Sequence, residues 1–171
     1  MSHAIIDPID ISLVLREYQS IEDKINWLAN GGGRQCGIQY KDGEDYFISA
    51  TGTRPVGVSE KEYCLINPLF QNTIFEDIIN KYNLVRARLM WVNGKSCYSL
   101  HSDDSPRLHI PLITNPHCMF IFPNKPELIH LPLGNVYAVN TINQHSFCNF
   151  SNTPRLHFMG CMSITNYMKV K

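Results

Sequence analysis

The sequence predicts an α+β fold that is mainly β: a jelly-roll barrel with N-terminal helices packed on it. The first observation is a series of eight short strand-like runs from residue 86 onward, spaced about ten residues apart, which is typical of a sandwich or barrel. The second is that helix-like patterns are confined to residues 1–85. The third is the length, since 171 residues suit a single domain.

The eight runs are separated by turn signals such as NGK, DDSP, PNKP and SNTP. In chain order they are VRARLMWV, KSCYSLHS, RLHIPLIT, HCMFIFP, ELIHLP, NVYAVNT, QHSFCNF and RLHFMGCMS. Closing such strands into a barrel creates a mouth, which is a natural place for a ligand.

The first 85 residues are predicted to cover the core formed by residues 86–171, within one domain of residues 1–171. DISLVLREYQSIEDKINWLAN has apolar residues near helical spacing and ends at GGG. NPLFQNTIFEDIINKYN is a second helix candidate, with Pro68 near its start. RQCGIQY and DYFISAT are predicted to be short strands on either side of the turn KDGE.

Composition argues against several classes of protein. The formal net charge is zero, so neither a nucleic acid nor an anionic membrane is expected as a partner. No apolar run approaches membrane-spanning length, and MSHAIIDPID does not resemble a signal peptide. The six cysteines are scattered without a CxxC pair, which favours free, mostly buried thiols and a cytoplasmic protein.

Chemistry-bearing side chains recur at alternate positions in YSLHSDDSPRLHIPLITN. His101 and Asp103 point to the same side of a strand because side chains alternate across it. Two histidines and one carboxylate are the ligand set of non-haem Fe(II) oxygenases. His145 lies 44 residues further on, and a barrel can bring its strand beside an early one. Taken alone, the HxD pair is a weak signal, and a turn-capping Asp and a surface His are the favoured interpretation.

Arginines add a second chemical signal. Arg155 lies ten residues beyond His145, on the next predicted strand, and Arg107 follows the HxD pair. An arginine that faces into a barrel is costly unless paired, and a bound carboxylate is a natural partner for its guanidinium. Arg88 shares strand parity with Arg86, so both are candidates to face the mouth.

The combination of His101-Ser-Asp103, RLHIPLITN, GNVYAVNTINQH and NTPRLHFMG resembles the aspartyl/asparaginyl β-hydroxylase family. Members of that family are Fe(II)- and 2-oxoglutarate-dependent oxygenases on a double-stranded β-helix, and they include free amino-acid (proline) hydroxylases. The resemblance covers roughly residues 86–163 and is loose over the first 85.

The resemblance implies that His101, Asp103 and His145 are the iron ligands at the catalytic centre, with 2-oxoglutarate and O₂ as cosubstrates. Relatives that halogenate lack the carboxylate, so Asp103 favours hydroxylation. Asn140 and Asn143 are close enough in sequence to be candidates for orienting His145.

The remaining site residues are also carried over from the resemblance. Arg155 matches the arginine that pairs with the distal carboxylate of 2-oxoglutarate. His109 is either a neighbour of that cosubstrate or a core histidine, and His157 is expected to be structural. Arg88 and Arg107 are candidates to bind a substrate carboxylate; otherwise they are salt-bridged barrel residues.

The implied activity is hydroxylation of an unactivated C–H bond in an amino acid, an amino-acid residue or a related small molecule. A small molecule or a peptide is therefore expected as substrate. One alternative is a non-catalytic, cupin-like module that binds a metal or a carboxylate. Another is a cupin-type zinc or manganese enzyme, whose chemistry would not need Arg155 opposite the metal. Consumption of 2-oxoglutarate separates the hydroxylase from both.

Overall fold

The computed structural model describes residues 1–170, in which thirteen β-strands and three α-helices are present. The strands are β1 (His3–Pro8), β2 (Leu28–Asn30), β3 (Gly33–Gly37), β4 (Gln39–Lys41), β5 (Tyr63–Ile66), β6 (Val85–Val92), β7 (Ser96–Cys97), β8 (Arg107–Ile113), β9 (Cys118–Phe122), β10 (Glu127–Ile129), β11 (Asn135–Val139), β12 (Ser146–Asn149) and β13 (Arg155–Cys161). The helices are α1 (Ile11–Ile21), α2 (Ile74–Tyr82) and α3 (Ile164–Lys169), and 3₁₀ turns occupy Glu22–Lys24, Glu60–Glu62 and Pro68–Phe70. Within residues 1–170, none of the helices has the length and apolar character needed to cross a bilayer.

Two antiparallel sheets build the jelly roll. The larger has seven strands in the order β1-β11-β8-β13-β6-β3-β2, and the smaller has four in the order β10-β9-β12-β7. A separate pair, β4-β5, lies outside both. Strands β1, β2 and β3 belong to the larger sheet, so the first 85 residues contribute strands to the same sheet as the later ones.

The two faces of the larger sheet differ in chemistry because side chains alternate along each strand. On β8, Leu108, Ile110 and Leu112 belong to a buried cluster that also contains side chains of α1 and α2. The intervening Arg107 and His109 point to the opposite face and are also buried. The alternation therefore places the apolar row towards the helices and the polar row inside the barrel.

A second apolar cluster fills the barrel between the two sheets. It joins Met90 and Met159 of the larger sheet to Phe120, Phe122 and Phe147 of the smaller one. Aromatic side chains bury large areas and prefer tilted contacts, as Phe120 and Phe147 make with ring centroids 5.2 Å apart. The polar row of β8 packs against this cluster, as the contact of His109 with Phe120 shows.

All eight strands predicted after residue 85 are present, and both helices lie within their predicted segments. The run KSCYSLHS is shorter than expected, with a two-residue strand and an isolated bridge at His101. The strand predicted for DYFISAT is wrong. Asp45 Oδ1 accepts hydrogen bonds from the N–H groups of Phe47 (2.8 Å) and Ile48 (3.2 Å), which turns the chain back on itself. Strands β1, β2 and β5 and helix α3 were not predicted. The first predicted helix is too long, because α1 ends at Ile21 and the end of its predicted segment forms β2.

The expectation that all cysteines are free thiols is also wrong. Cys97 and Cys148 form a disulfide that joins β7 to β12. The two residues lie directly opposite each other in the antiparallel ladder, an arrangement that their separation of 51 residues in sequence does not reveal. The remaining cysteines are free, Cys64 exposed and Cys36, Cys118 and Cys161 buried.

Candidate metal centre

His101, Asp103 and His145 converge at the mouth of the barrel. Each offers one potential ligand atom, and the three atoms lie within 4.8 Å of one another. Nε2 of His101 is 4.0 Å from Asp103 Oδ1, and Nε2 of His145 is 3.9 Å from Asp103 Oδ2. The structure thus brings together the three residues that the sequence singled out as a ligand set.

Backbone pairing holds these residues in place although all three lie outside the regular strands. The N–H of His101 donates to the carbonyl of His145 (3.0 Å), and the N–H of His145 donates back (2.8 Å). The two imidazole rings consequently lie with centroids 4.4 Å apart. The N–H of Asp103 donates to the carbonyl of Thr141 at 2.8 Å, which ties the carboxylate-bearing segment to the residues that follow β11.

Both histidines turn Nδ1 towards a backbone carbonyl, Ser99 O at 2.9 Å for His101 and Asn143 O at 3.0 Å for His145. A carbonyl oxygen only accepts, so each Nδ1 carries a proton, and in the neutral imidazole Nε2, on the side of Asp103, is the nitrogen with the free lone pair. Burial lowers the pKa of His145, against the opposing effect of the Asn143 carbonyl, and so favours the neutral form that binds metals. Of the two asparagines proposed to orient His145, Asn143 contacts it, through its main chain.

Arg155 lies deeper in the barrel, on β13, and is 1% exposed. Its guanidinium carbon is 3.8 Å from the ring centroid of Phe147. Within residues 1–170, its Nε and Nη1 have no hydrogen-bond partner. Burial lowers the pKa of Arg155 to about 10 because the charged form is desolvated. A buried guanidinium with free donors is a site prepared for an anion.

His109 and His157 lie near Arg155 on neighbouring strands. Their ring centroids are 5.7 Å apart, and His109 also contacts the edge of Phe120. Burial, followed by the charge of Arg155, holds the pKa of each imidazole well below the ordinary histidine value. Both rings are therefore neutral at physiological pH.

The two arginines proposed for a substrate carboxylate have different surroundings. Arg107 Nη2 is 2.7 Å from Glu60 Oε1, and its Nε is 3.2 Å from Asp103 Oδ2. That second contact is an ion pair in which the N–H does not point along a hydrogen-bond direction. Arg88 donates through Nη1 to the carbonyl of Ala50 at 3.0 Å, and its Nε has no hydrogen-bond partner in the described residues. Arg88 is thus available to a ligand, whereas the charge of Arg107 is paired within the protein.

Two adjoining cavities surround the candidate ligands. The inner one has a volume of about 70 Å³ and the outer one about 570 Å³. Among the residues that line both are Arg88, Tyr98, His101, Asp103 and Arg107. Arg155 lines only the inner cavity, whereas Arg86 and Glu60 line only the outer one. His101 and Asp103 therefore lie where the inner cavity, which contains Arg155, adjoins the wider outer one.

Sequence reasoning missed Glu60 and Thr141 as parts of this site. Glu60 is in the 3₁₀ turn of VSEKEY, where no pattern distinguishes it from its exposed neighbours Lys61 and Glu62. Arg86 was noted for its strand parity, and it donates to the carbonyl of Gly52 at 2.8 Å. Only the fold reveals that segment 50–62 reaches the mouth of the barrel.

No protein-family model matches the sequence. Over 140 residues the chain is 35% identical to L-proline cis-4-hydroxylase of Rhizobium meliloti (strain 1021), an alignment that includes 77% of this chain and 48% of that protein. The chain therefore spans about half the length of the curated relative that it matches.

Solved structures of similar shape have little sequence in common with this chain. A prolyl hydroxylase of Trichoplax adhaerens, in complex with a hypoxia inducible factor peptide, gives a TM-score of 0.55 at 9% identity over 99% of this chain and 87% of its own. HygX of Streptomyces hygroscopicus, with nickel, 2-oxoglutarate and hygromycin B bound, gives 0.54 at 10% identity over 95% and 84%. A 2OG-Fe(II) oxygenase family oxidoreductase of Burkholderia pseudomallei gives 0.55 at 10% identity over 86% and 76%. These likenesses show the fold, a jelly-roll barrel.

Proposed function

We propose that the chain is an Fe(II)- and 2-oxoglutarate-dependent dioxygenase that hydroxylates an unactivated C–H bond of an amino acid, an amino-acid residue or a related small molecule. The proposal depends above all on one observation. Two imidazoles and a carboxylate converge within 4.8 Å at a small cavity whose far side holds a buried guanidinium with unpartnered donors. A ligand with two carboxylates would bind the metal through one end and the guanidinium through the other.

The donor set fits a divalent iron ion. Two neutral Nε2 atoms and one carboxylate are the facial triad that leaves positions open for cosubstrate and O₂. When bound, Fe(II) would supply reduction of O₂ coupled to decarboxylation of 2-oxoglutarate. His101, Asp103 and His145 would hold the ion, while the carbonyls of Ser99 and Asn143 keep both imidazoles in the metal-binding tautomer.

The charge balance of the site favours anionic ligands. Four buried guanidiniums, those of Arg86, Arg88, Arg107 and Arg155, face two carboxylates, Glu60 and Asp103. These buried groups of the site therefore carry an excess of two positive charges (4 − 2), and a divalent metal would raise it to four. The dianion 2-oxoglutarate offsets part of this excess, with Arg155 on its distal carboxylate and the neutral His109 beside it. A substrate carboxylate would offset more.

The proposed substrate group for Arg88 is such a carboxylate. Its Nε is unpartnered, and desolvation, followed by the charge of Arg86, lowers its pKa to about 10. A bound anion would relieve both effects. The name of the Rhizobium meliloti relative, L-proline cis-4-hydroxylase, supports an amino acid as substrate. We also propose membership of the aspartyl/asparaginyl β-hydroxylase family, on the residues that resemble it.

The test is an anaerobic titration of the purified protein with Fe(II) and then 2-oxoglutarate, followed by the visible charge-transfer absorption of the chelate. Asp103→Ala and Arg155→Ala are titrated beside the wild type, with the exposed Arg16→Ala as the matched control. We expect the absorption in the wild type and in Arg16→Ala, and its loss or strong weakening in the other two.

A folded, metal-loaded protein that gives no such absorption would contradict the oxygenase proposal. Metal binding without 2-oxoglutarate binding would then favour a non-catalytic module or a different metalloenzyme. If the absorption is present, succinate release upon addition of L-proline, other amino acids and peptides identifies the class of substrate.

A further inference from the structure

Glu60 is the only buried acidic residue in the described part of the chain. It lies in the 3₁₀ turn Glu60–Glu62, outside both sheets, and 43 residues before Asp103 in sequence. A buried carboxylate is costly unless it is paired and hydrogen-bonded. Its position at the mouth of the barrel therefore needs a reason beyond packing.

Glu60 is held in a closed set of contacts with Arg107 and Ser105. Oε1 is 2.7 Å from Arg107 Nη2, and Oε2 accepts a hydrogen bond from Ser105 Oγ at 2.6 Å. Arg107 Nη1 donates to the same Ser105 Oγ at 2.6 Å, which completes the ring of contacts. Burial would raise the pKa of Glu60, but the charge of Arg107 and these hydrogen bonds outweigh it and lower the pKa, so the carboxylate is ionised at neutral pH.

Arg107 links Glu60 to Asp103, because its guanidinium contacts both carboxylates. Its backbone is fixed in β8, which is paired with β11 on one side and β13 on the other. Its Nε lies 3.2 Å from Asp103 Oδ2. Apart from the two candidate histidine ligands, Arg107 is the only cation within 4.0 Å of that carboxylate in residues 1–170. The side-chain direction of Asp103 thus depends on where Glu60 holds the guanidinium.

The charge of Glu60 matters as well as its geometry. Arg107 lies beside a proposed ligand of a divalent cation, where an uncompensated guanidinium would both repel the cation and compete for Asp103. Glu60 offsets that charge through its contact with Nη2, while Nε faces Asp103. Arg86 Nη1, 3.8 Å from Glu60 Oε1, shares the same carboxylate.

We infer that Glu60 is a positioning residue for the metal centre, which acts through Arg107 to fix the carboxylate of Asp103 and to neutralise the cation beside it. This inference depends on the proposed function, since it requires that Asp103 be a metal ligand. It also assigns Arg107 to the metal centre rather than to the substrate.

The experiment measures Co(II) affinity and the Co(II) absorption spectrum of the full chain without 2-oxoglutarate. The variant is Glu60→Gln, which removes the charge and keeps the size. The matched control is Glu62→Gln, an exposed residue of the same turn whose side chain accepts from the N–H of Ser59, a bond that glutamine can also make. Thermal unfolding of the metal-free proteins checks that each is folded. Ser105→Ala is the milder test of the same ring of contacts.

We expect Glu60→Gln to weaken Co(II) binding roughly 10–100-fold, the usual range for partners that orient metal ligands, and to change the Co(II) spectrum. Ser105→Ala should weaken it several-fold, and Glu62→Gln should leave both readouts unchanged. In an Arg107→Gln background the Glu60 substitution should have no further effect on affinity, because the two act as one unit.

Wild-type Co(II) affinity in folded Glu60→Gln, equal weakening in Glu62→Gln, or a full additional effect in the Arg107→Gln background would each overturn the inference. Co(II) binding that the wild type shows and Asp103→Ala lacks, combined with any of these results, leaves the proposed function standing and refutes only the role of Glu60. A wild-type protein that binds no divalent metal refutes both.

Discussion

The guanidinium of Arg155 lies over the ring of Phe147, with its central carbon 3.8 Å from the ring centroid. The two residues come from different sheets, β13 in the larger and β12 in the smaller. Because Phe147 is buried and supplies no charge, it fixes the position of the cation without consuming its hydrogen-bond donors. Those donors stay free for an anion.

Replacing Phe147 with leucine should therefore weaken 2-oxoglutarate binding while leaving metal binding intact. A desolvated cation–π contact contributes about 2 kcal/mol, so we expect a loss of up to about thirtyfold in affinity. Fluorescence or calorimetric titration of the Mn(II)-loaded protein with 2-oxoglutarate measures it. Phe150→Leu, at an exposed phenylalanine 62% accessible to solvent, should bind like the wild type. Equal affinity in both variants would contradict this role of Phe147.

Asp103→Ala should abolish metal binding without unfolding the protein. The backbone hydrogen bonds between His101 and His145 do not involve the Asp103 side chain, so the mouth of the barrel keeps its shape. Equilibrium dialysis with Mn(II) measures the binding, and circular dichroism checks the fold. The neighbouring Asp104, whose carboxylate pairs with Arg54, supplies the control Asp104→Ala. Metal binding that survives in Asp103→Ala, or that is lost equally in Asp104→Ala, would argue against the proposed ligand set.

Stability should fall as the pH is lowered below about 6.5, the ordinary histidine pKa. Burial lowers the pKa of His109, His145 and His157, so below pH 6.5 the unfolded chain binds protons that the folded chain does not. The free energy of unfolding therefore rises with pH over this window and decreases towards pH 5. Urea unfolding of the metal-free protein between pH 7.5 and 5 measures it.

His157→Gln provides the test of that assignment, because it removes one of the three groups. Its unfolding free energy should change less steeply with pH than that of the wild type, by up to one proton. A wild-type stability that is constant between pH 7.5 and 5 would mean that these imidazoles are not buried in neutral form.

The Cys97–Cys148 disulfide predicts a thiol count and a stability difference. The unreduced, denatured protein should titrate four thiols, those of Cys36, Cys64, Cys118 and Cys161. Closing a loop across 51 residues is worth roughly 4 kcal/mol in the chain-entropy model, so Cys97→Ser/Cys148→Ser should lose up to that much stability in urea. Cys64→Ser, at an exposed free thiol, should change it little. Six titrated thiols would disprove the disulfide.

The sequence was most informative where a local pattern decides the structure. The strands from residue 85 onward were predicted because alternation and turn residues are local signals. The HxD pattern also singled out His101 and Asp103, although backbone bonds to His145 and Thr141, rather than a regular strand, hold them in place. His145 could be proposed as the third ligand, despite its distance in sequence, because a barrel brings remote strands together.

What the sequence could not reveal depends on tertiary pairing. The pairing of Cys97 with Cys148 follows from the register of β7 against β12, and the contact of Glu60 with Arg107 follows from the path of an irregular segment. The run DYFISAT has strand-like composition, yet the N–H of Phe47 donates a hydrogen bond to Asp45 Oδ1, and the chain turns there. Local chemistry there outweighs β propensity.

The central claim is that the candidate metal centre and Arg155 bind the two ends of one molecule of 2-oxoglutarate. Calorimetric titration of 2-oxoglutarate into the protein with and without Mn(II), for the wild type and Arg155→Met, tests it most directly. We expect tight binding in the wild type that requires Mn(II), and a loss of at least tenfold in Arg155→Met with Mn(II) affinity retained. Equal 2-oxoglutarate affinity in the two proteins, or binding that does not depend on the metal, would contradict the claim.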